Sequence, residues 1–297
     1  MKNIRLLTDK ITGNVFLFLT LASVLTVLLI GFGLYYKSLP ILQSSSLSNL
    51  LFSEEWKPFK SQFGFLSYIM GTLWVTGIAI IIALPLSLLS AIYLSEYAHH
   101  QVKKILFPLI DLLSGIPPVI YGVWGVLVIV PFVQEKLASH FLEFSSGYSA
   151  LAGGIILAIM ILPLIINILL EVFGAVPEGL REASLSVGAT QWETIKHVLL
   201  KKSLPGIIAA TVLAISRAFG ETIAVLMVCG NIPQIPHSIF DSCYPLPALI
   251  ANNYGEMMSV PMYESALMLA AFILFVIIFL FNAISRIILY RLERSTN

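Results

Sequence analysis

Ala175-Val-Pro177-Glu178-Gly-Leu-Arg181-Glu182-Ala183-Ser184-Leu-Ser-Val-Gly188-Ala-Thr190-Gln-Trp-Glu193-Thr-Ile-Lys-His197 is a polar stretch set between two long apolar runs. Pro177 suits the first position of a helix, with Glu178, Arg181 and Glu182 close behind it. Gly188 suits the left-handed position that stops a short helix. Thr190-x-x-Glu193 is the pattern of a capping box that opens the next one. The spacing predicts helix, glycine corner, helix, with the second helix running to about Leu204 and ending before Pro205. Residues 183–187 present small and apolar side chains where there is no lipid to meet them, which suits a docking surface better than an ordinary loop. The apolar run that follows carries two opposite charges, Arg217 and Glu221.

Working outward, composition sets the class. Apolar residues make up 58% of the 297 and charged residues 11%, against roughly 25% charged in soluble domains. So few charges cannot cover a soluble globule of this size, and the chain reads as an all-α integral membrane protein. A net charge of +1, without long basic runs, gives no support for nucleic-acid binding. Cys229 and Cys243 have no metal-ligand spacing to histidine, and the adjacent His99-His100 cannot share a helix face, so no metal site is expected. No glycine-rich phosphate loop ending in Gly-Lys-Ser/Thr occurs, so nucleotide hydrolysis is not expected of this chain.

A hydrocarbon core about 30 Å thick takes about 20 apolar residues as a helix. Six runs qualify, at roughly 15–35, 66–94, 105–132, 150–170, 207–228 and 266–289. The first follows Lys2, Arg5 and Lys10 but is longer than a signal-peptide core and lacks a cleavage pattern, so it reads as an uncleaved helix. Twelve Lys and Arg fall on the side of the N-terminus: Lys2, Arg5, Lys10, Lys103, Lys104, Arg181, Lys196, Lys201, Lys202, Arg286, Arg291 and Arg294. Four fall opposite: Lys37, Lys57, Lys60 and Lys136. The positive-inside rule then places both termini in the cytoplasm. Trp56, in the first external loop, is expected at the headgroup level, as interfacial Trp commonly is. Gly115-Ile-Pro117-Pro118 interrupts the third run; irregular backbone at membrane depth survives where it lines a cavity, so Pro117, Pro118 and Tyr121 are candidates to line a pathway. The external segment 230–264 has no Lys or Arg but is rich in proline, and 246–256 can form a short helix on a structured platform. Cys229 and Cys243 lie at or near that side, where oxidising conditions would permit a disulfide.

Glu182-Ala183-Ser184-x3-Gly188 resembles the signature of ABC importer permeases, whose cytoplasmic loop docks into a groove on an ATPase subunit. Lys201 stands where that signature usually has proline, while Pro205-Gly206 is retained. Gly71-Thr-Leu73, the run from Ala91 to Glu96, the run from Gly115 to Gly125 and the run from Arg217 to Asn231 are similar to the PstC-type permeases of phosphate importers, from about Trp56 onward. The resemblance implies a type I importer permease fold with a single transmembrane domain. Its core would be about 66–289 and its ATPase-docking loop about 174–205, with Glu182, Ala183, Ser184 and Gly188 as the docking residues. It also implies a bacterial inner-membrane location and no cofactor on this chain, ATP and Mg being used by the partner. The implied partners are a PstA-like second permease subunit, a PstB-like ATPase dimer, a PstS-like phosphate-binding protein and membrane lipid.

Arg217 and Glu221 stand near the centre of the fifth run, four residues apart and so on one helix face. Each costs about 2.5–3.5 kcal/mol at mid-helix, so that face is expected to point into the bundle. Two readings stay open: an ion pair that holds the bundle together, or an anion contact in which the planar guanidinium meets phosphate oxygens. A permease for another oxyanion, sulfate or molybdate, is an alternative of the same architecture. An ion-coupled secondary transporter is a more distant one, against which the docking signature argues.

Overall fold

The computed structural model describes residues 2–141, 145–256 and 260–296, with side chains described within 11–290 of these. Six helices are long and apolar enough to cross a membrane: Ile11–Ser44, Leu66–Tyr97, Pro118–His140, Ala150–Gly174, Gln191–Gly220 and Tyr263–Tyr290.

The chain opens with α1 (Lys2–Ser44), then a short α2 (Leu47–Phe52) capped by the Ser46 hydroxyl. A two-residue antiparallel hairpin, β1 (Trp56–Lys57) on β2 (Gln62–Phe63), follows. Trp56 is not a free interfacial ring. Its centroid lies 5.1–6.2 Å from those of Phe63, Phe65, Tyr68 and Tyr263, so it nucleates an aromatic cluster. Edge-to-face aromatic contacts of this kind add to the area the rings bury.

Two helices form the spine: α3 (Leu66–Ile92), extended by a π-turn at Tyr93–Tyr97, and α7 (Ala150–Gly174). They pack along most of their length. Gly153 and Gly154 lie directly against Val75 and Ile78, with Ala79, Ala83, Ile156 and Leu157 fully buried around them. Small residues let two helices approach until dispersion along their backbones holds them, which matters where lipid is as apolar as leucine. Between them in sequence come α4 (His100–Gly115), α5 (Pro118–Trp124) and the short α6 (Val130–Phe132), the last two joined by a π-turn at Gly125–Ile129.

The third apolar run is therefore divided where 105–132 had been expected to cross as one span. Gly115 ends α4, and Ile116 and Pro117 are extended, at φ −67°, ψ 128° and φ −60°, ψ 140°. Each precedes a proline, whose ring disfavours helical backbone in the residue before it. The membrane-length helix starts instead at Pro118 and runs to His140. α4 packs on α7 through Val102, Leu106, Ile110 and Ile166, with Asn167 Nδ2 donating to Asp111 Oδ1 at 3.0 Å.

Beyond α7 lies α8 (Glu178–Ser186), then α9 (Gln191–Thr194) and α10 (Leu200–Gly220), joined by a π-turn at Ile195–Leu199. The helix does not end before Pro205 but continues through it to Gly220. Lys201, whose carbonyl loses its partner to the missing Pro205 N–H, is exposed and can be solvated. The chain then breaks, forms the short α11 (Ile223–Val228), crosses a loop to α12 (Leu246–Asn253), and ends in α13 (Tyr263–Thr296).

The loop and α12 form an ordered platform. Leu246 N donates to Thr72 Oγ1 at 2.9 Å, and Gly71 lets the Tyr244 carbonyl sit beside α3. Asn252 and Asn253 donate to the Tyr244 hydroxyl at 2.9 and 3.0 Å, and the Tyr263 hydroxyl donates to Asn253 Oδ1 at 2.7 Å. Burial pushes the Tyr244 phenol up from its usual range. Cys229 and Cys243 are both buried and unbonded; the Cys243 amide donates to the Cys229 carbonyl at 2.9 Å. α1 packs on α13 and has its hydrophobic stretch otherwise outward, with Gly31 against Phe275 and Lys37 paired with Glu264 at 3.1 Å.

Candidate functional site

Two sites bracket α10. At its far end, Arg217 stands in the last helical turn, about 39 Å along the axis from Gln191. Its cation lies where the unsatisfied carbonyls of a helix C-terminus gather, a favourable position. The shared helix face expected for Arg217 and Glu221 does not exist. The helix stops at Gly220, and Glu221 is extended at φ −72°, ψ 127°. Glu221 Oε1 instead accepts from Ala224 N at 3.2 Å and so caps α11. Glycine commits weakly to helix and a carboxylate favours the start of a new one, so Gly-Glu is where the chain turns. Among the described residues the two side chains form no ion pair within 4 Å.

α11 lies on α5 because α5 has no side chains in the way. A Cβ on Gly122 would stand 3.2 Å from the Ala224 backbone and 2.6 Å from Met227 Sδ, and one on Gly125 would press on Val228 and Ile156. Tyr121 itself is buried, and its hydroxyl donates at 2.7 Å to the Leu113 carbonyl, which also accepts from the Ile116 amide where α4 ends. Pro117 lines an open groove of about 660 Å³ with Pro108, Asp111, Leu112, Gly115 and Ile116, while Pro118 starts α5. Of the three pathway candidates, Tyr121 is buried and bonded to the end of α4, Pro117 faces a groove on the α4 side, and Pro118 does neither. Arg217 is exposed in the isolated chain, and Glu221, half-buried, borders a narrow cavity of about 10 Å³ with Thr72, Thr76 and Pro245.

At the near end of α10, the predicted helix, corner and helix are all present. α8 starts one residue later than expected, with Pro177 as its cap at ψ 132°. Gly188 adopts φ +89°, and Thr190 and Glu193 form the reciprocal capping box. Glu182, Ala183 and Gly188 are exposed. Ser184 is half-buried, its hydroxyl 2.9 Å from that of Thr194, and so ties α8 to the next helix. Leu185 and Trp192 are about half exposed and Val187 is 84% exposed. This apolar ridge, on the corner between two membrane-length helices, is the kind of surface a partner covers. Beside it runs a groove of about 560 Å³ lined by Leu180, Ala183, Ser184, His197, Lys201 and Lys202.

Residues to which the sequence reading gave no role at this corner also stand here. Arg181 of α8 pairs with Glu96 at 3.2 Å, and Gln191 Nε2 donates to the Glu96 carbonyl at 2.7 Å. The one available signal was a carboxylate closing the apolar run of α3; no single sequence links it to a cation 85 positions away.

Residues 83–297 match the family described as binding-protein-dependent transport system inner membrane component. The phosphate transport system permease protein PstC of Mesorhizobium japonicum is 36% identical over 292 residues, covering 93% of this chain and 89% of that protein. The probable phosphate transport system permease protein PstC of Methanocaldococcus jannaschii is 35% identical over 286 residues, covering 91% and 89%. Among solved structures, one of the inward-facing conformations of the MetNI methionine ABC transporter aligns with a TM-score of 0.56 at 18% identity, covering 77% of this chain and 94% of that one. At that identity the likeness concerns the fold alone: that of an ABC importer permease.

Proposed function

The chain belongs to the family of binding-protein-dependent transport system inner membrane components, and on that footing we propose that it is one membrane-spanning half of an ATP-driven phosphate importer. The observation that carries the reading is a guanidinium, Arg217, placed in the last turn of a long apolar helix with no carboxylate within 4 Å among the described residues. A charge so placed is stabilised by a ligand, by water in a cavity or by another subunit. The relatives named for phosphate transport favour the ligand. Both termini are cytoplasmic in this reading, with the α8 corner on the same side. A PstB-like ATPase dimer, using ATP and Mg, docks on Glu182, Ala183, Leu185, Val187 and Gly188. A PstA-like subunit completes the pathway opposite Arg217, and a PstS-like protein delivers phosphate to the α12 platform.

Hydrogen phosphate has a proton to donate and sulfate has none, so the Glu221 carboxylate beside the pathway favours phosphate. The deciding measurement is uptake of labelled phosphate into proteoliposomes holding the whole complex, with sulfate as competitor. Uptake should require ATP, and Glu221→Gln should narrow the phosphate-over-sulfate preference by about tenfold, the value of one charged hydrogen bond. Uptake that proceeds at full rate without nucleotide would refute the importer reading, and an unchanged anion preference would refute the role of Glu221.

The corner itself makes a second expectation. A Cβ at Gly188 would meet nothing within 4 Å, so the site demands glycine for conformation and not for space. Gly188→Val should cost about 1–2 kcal/mol in local strain and reduce copurifying ATPase severalfold. Gly179→Ala, in open space on α8, should leave it intact.

A further inference from the structure

The side chain of Arg181 fastens the α8 corner to the membrane core. Arg181 Nη1 donates to the Val176 carbonyl at 2.9 Å, and Nη2 donates to the Phe173 carbonyl at 2.8 Å while lying 3.2 Å from Glu96 Oε1. Phe173 belongs to the last turn of α7, and Glu96 sits in the π-turn that closes α3. The guanidinium of α8 therefore holds the ends of both spine helices. The Arg181 and Glu96 side chains are only 19% and 12% exposed, so the pair is screened far less than a surface ion pair. Gln191 at the start of α9 takes the Glu96 carbonyl, and Lys103 of α4 takes that of Ser95 at 3.1 Å. Helices on either side of the Gly188 corner thus converge on one turn of α3.

Two details suit a joint that moves more than a plain brace. Arg181 Nε is buried without an acceptor, so the guanidinium keeps an unused donor in this arrangement. The turn it grips is a π-turn, in which Ala98 N reaches back to the Tyr93 carbonyl, a distortion frequent where helices do functional work.

We infer that Arg181 is a positioning residue for transport: it carries displacement of α8 into the α3–α7 spine, and through the spine to the region of Arg217. The inference rests on the reading of α8 as the docking helix. A merely structural contact would affect how much complex assembles but not how much phosphate each ATP moves. The test uses the purified complete complex in proteoliposomes, with inorganic phosphate as probe, and reads phosphate transported per ATP hydrolysed. In Arg181→Ala that ratio should fall about tenfold, within the range expected for residues on a coupling route. Arg181→Lys should behave similarly, because one ammonium cannot reproduce the fork that reaches three acceptors. Glu96→Gln, which keeps shape and removes charge, should lower the ratio a few-fold.

If Arg181→Ala fails to assemble, Glu96→Gln decides, and a ratio equal to the parent's overturns the inference. A parent complex that moves phosphate on ATP, with all three variants equally well coupled, overturns the joint alone. A parent that moves none overturns the importer reading and the joint with it.

Discussion

Arg217→Ala should lower phosphate uptake by about two orders of magnitude while the ATPase still copurifies. The size follows from truncating one partner of a desolvated charged contact, about 2–5 kcal/mol. The structure sharpens this expectation, because the bland account of Arg217 was an ion pair with Glu221. The helix ends between them, and the carboxylate is turned to the α11 amide. Removing the guanidinium therefore strands no bonded carboxylate, and folding should tolerate the change. Arg217→Lys should fall between, since an ammonium keeps the charge but loses the planar pair of donors. Measured as initial uptake rate at equal complex per vesicle, activity of the alanine variant above a tenth of the parent would rule out an essential anion contact.

Gly154→Leu should lower the melting temperature and the folded yield of the chain. An ideal Cβ at Gly154 would come 2.6 Å from Ile78 Cβ and closer still to its methyl, in the tightest part of the α3–α7 contact. Ile78 is branched at the clashing carbon and cannot swing away, so the helices themselves must separate. Overpacking of this kind costs about 1–3 kcal/mol in ordinary cores. It should reach the top of that range here, because neighbouring Gly153 is closed by Cys229 and Val75 on the same face. The measurement is the monodisperse fraction in detergent and its melting temperature; a variant that melts within 2 °C of the parent, on the scale of roughly 2–4 °C per kcal/mol, would refute the spine as described.

The number of spans was legible because lipid imposes a length and an apolarity that a single sequence displays directly. The Gly188 corner was legible too, since caps are local chemistry between residues three or four apart. The break at Gly220-Glu221 was not. Hydropathy stays high through Ile223–Val228, so the apolar run conceals a change of direction that only the Gly-Glu capping logic marks. The third span was misplaced for a related reason: Pro117-Pro118 was read as a flaw within one helix, whereas the backbone uses it to begin another. The aromatic cluster around Trp56 was not legible because its ring partners, Tyr68 and Tyr263, come from two different spans. Arg181 and Glu96 meet only once α7 has brought α8 back to the end of α3.

The first helix has a bearing on the surrounding bilayer. Its apolar stretch, Ile11–Ser44, is 34 residues, about 51 Å at the α-helical rise, against a hydrocarbon layer of about 30 Å. Even if the end bearing the Lys37–Glu264 bridge stands in water, what remains overshoots that layer. The excess has to be absorbed by leaning or by swelling of nearby lipid, each at fractions of a kcal/mol per ångström. That mismatch falls on the rim of the protein, beside α13 and apart from the spine, so a thicker or thinner membrane would tilt the periphery before it disturbed the centre.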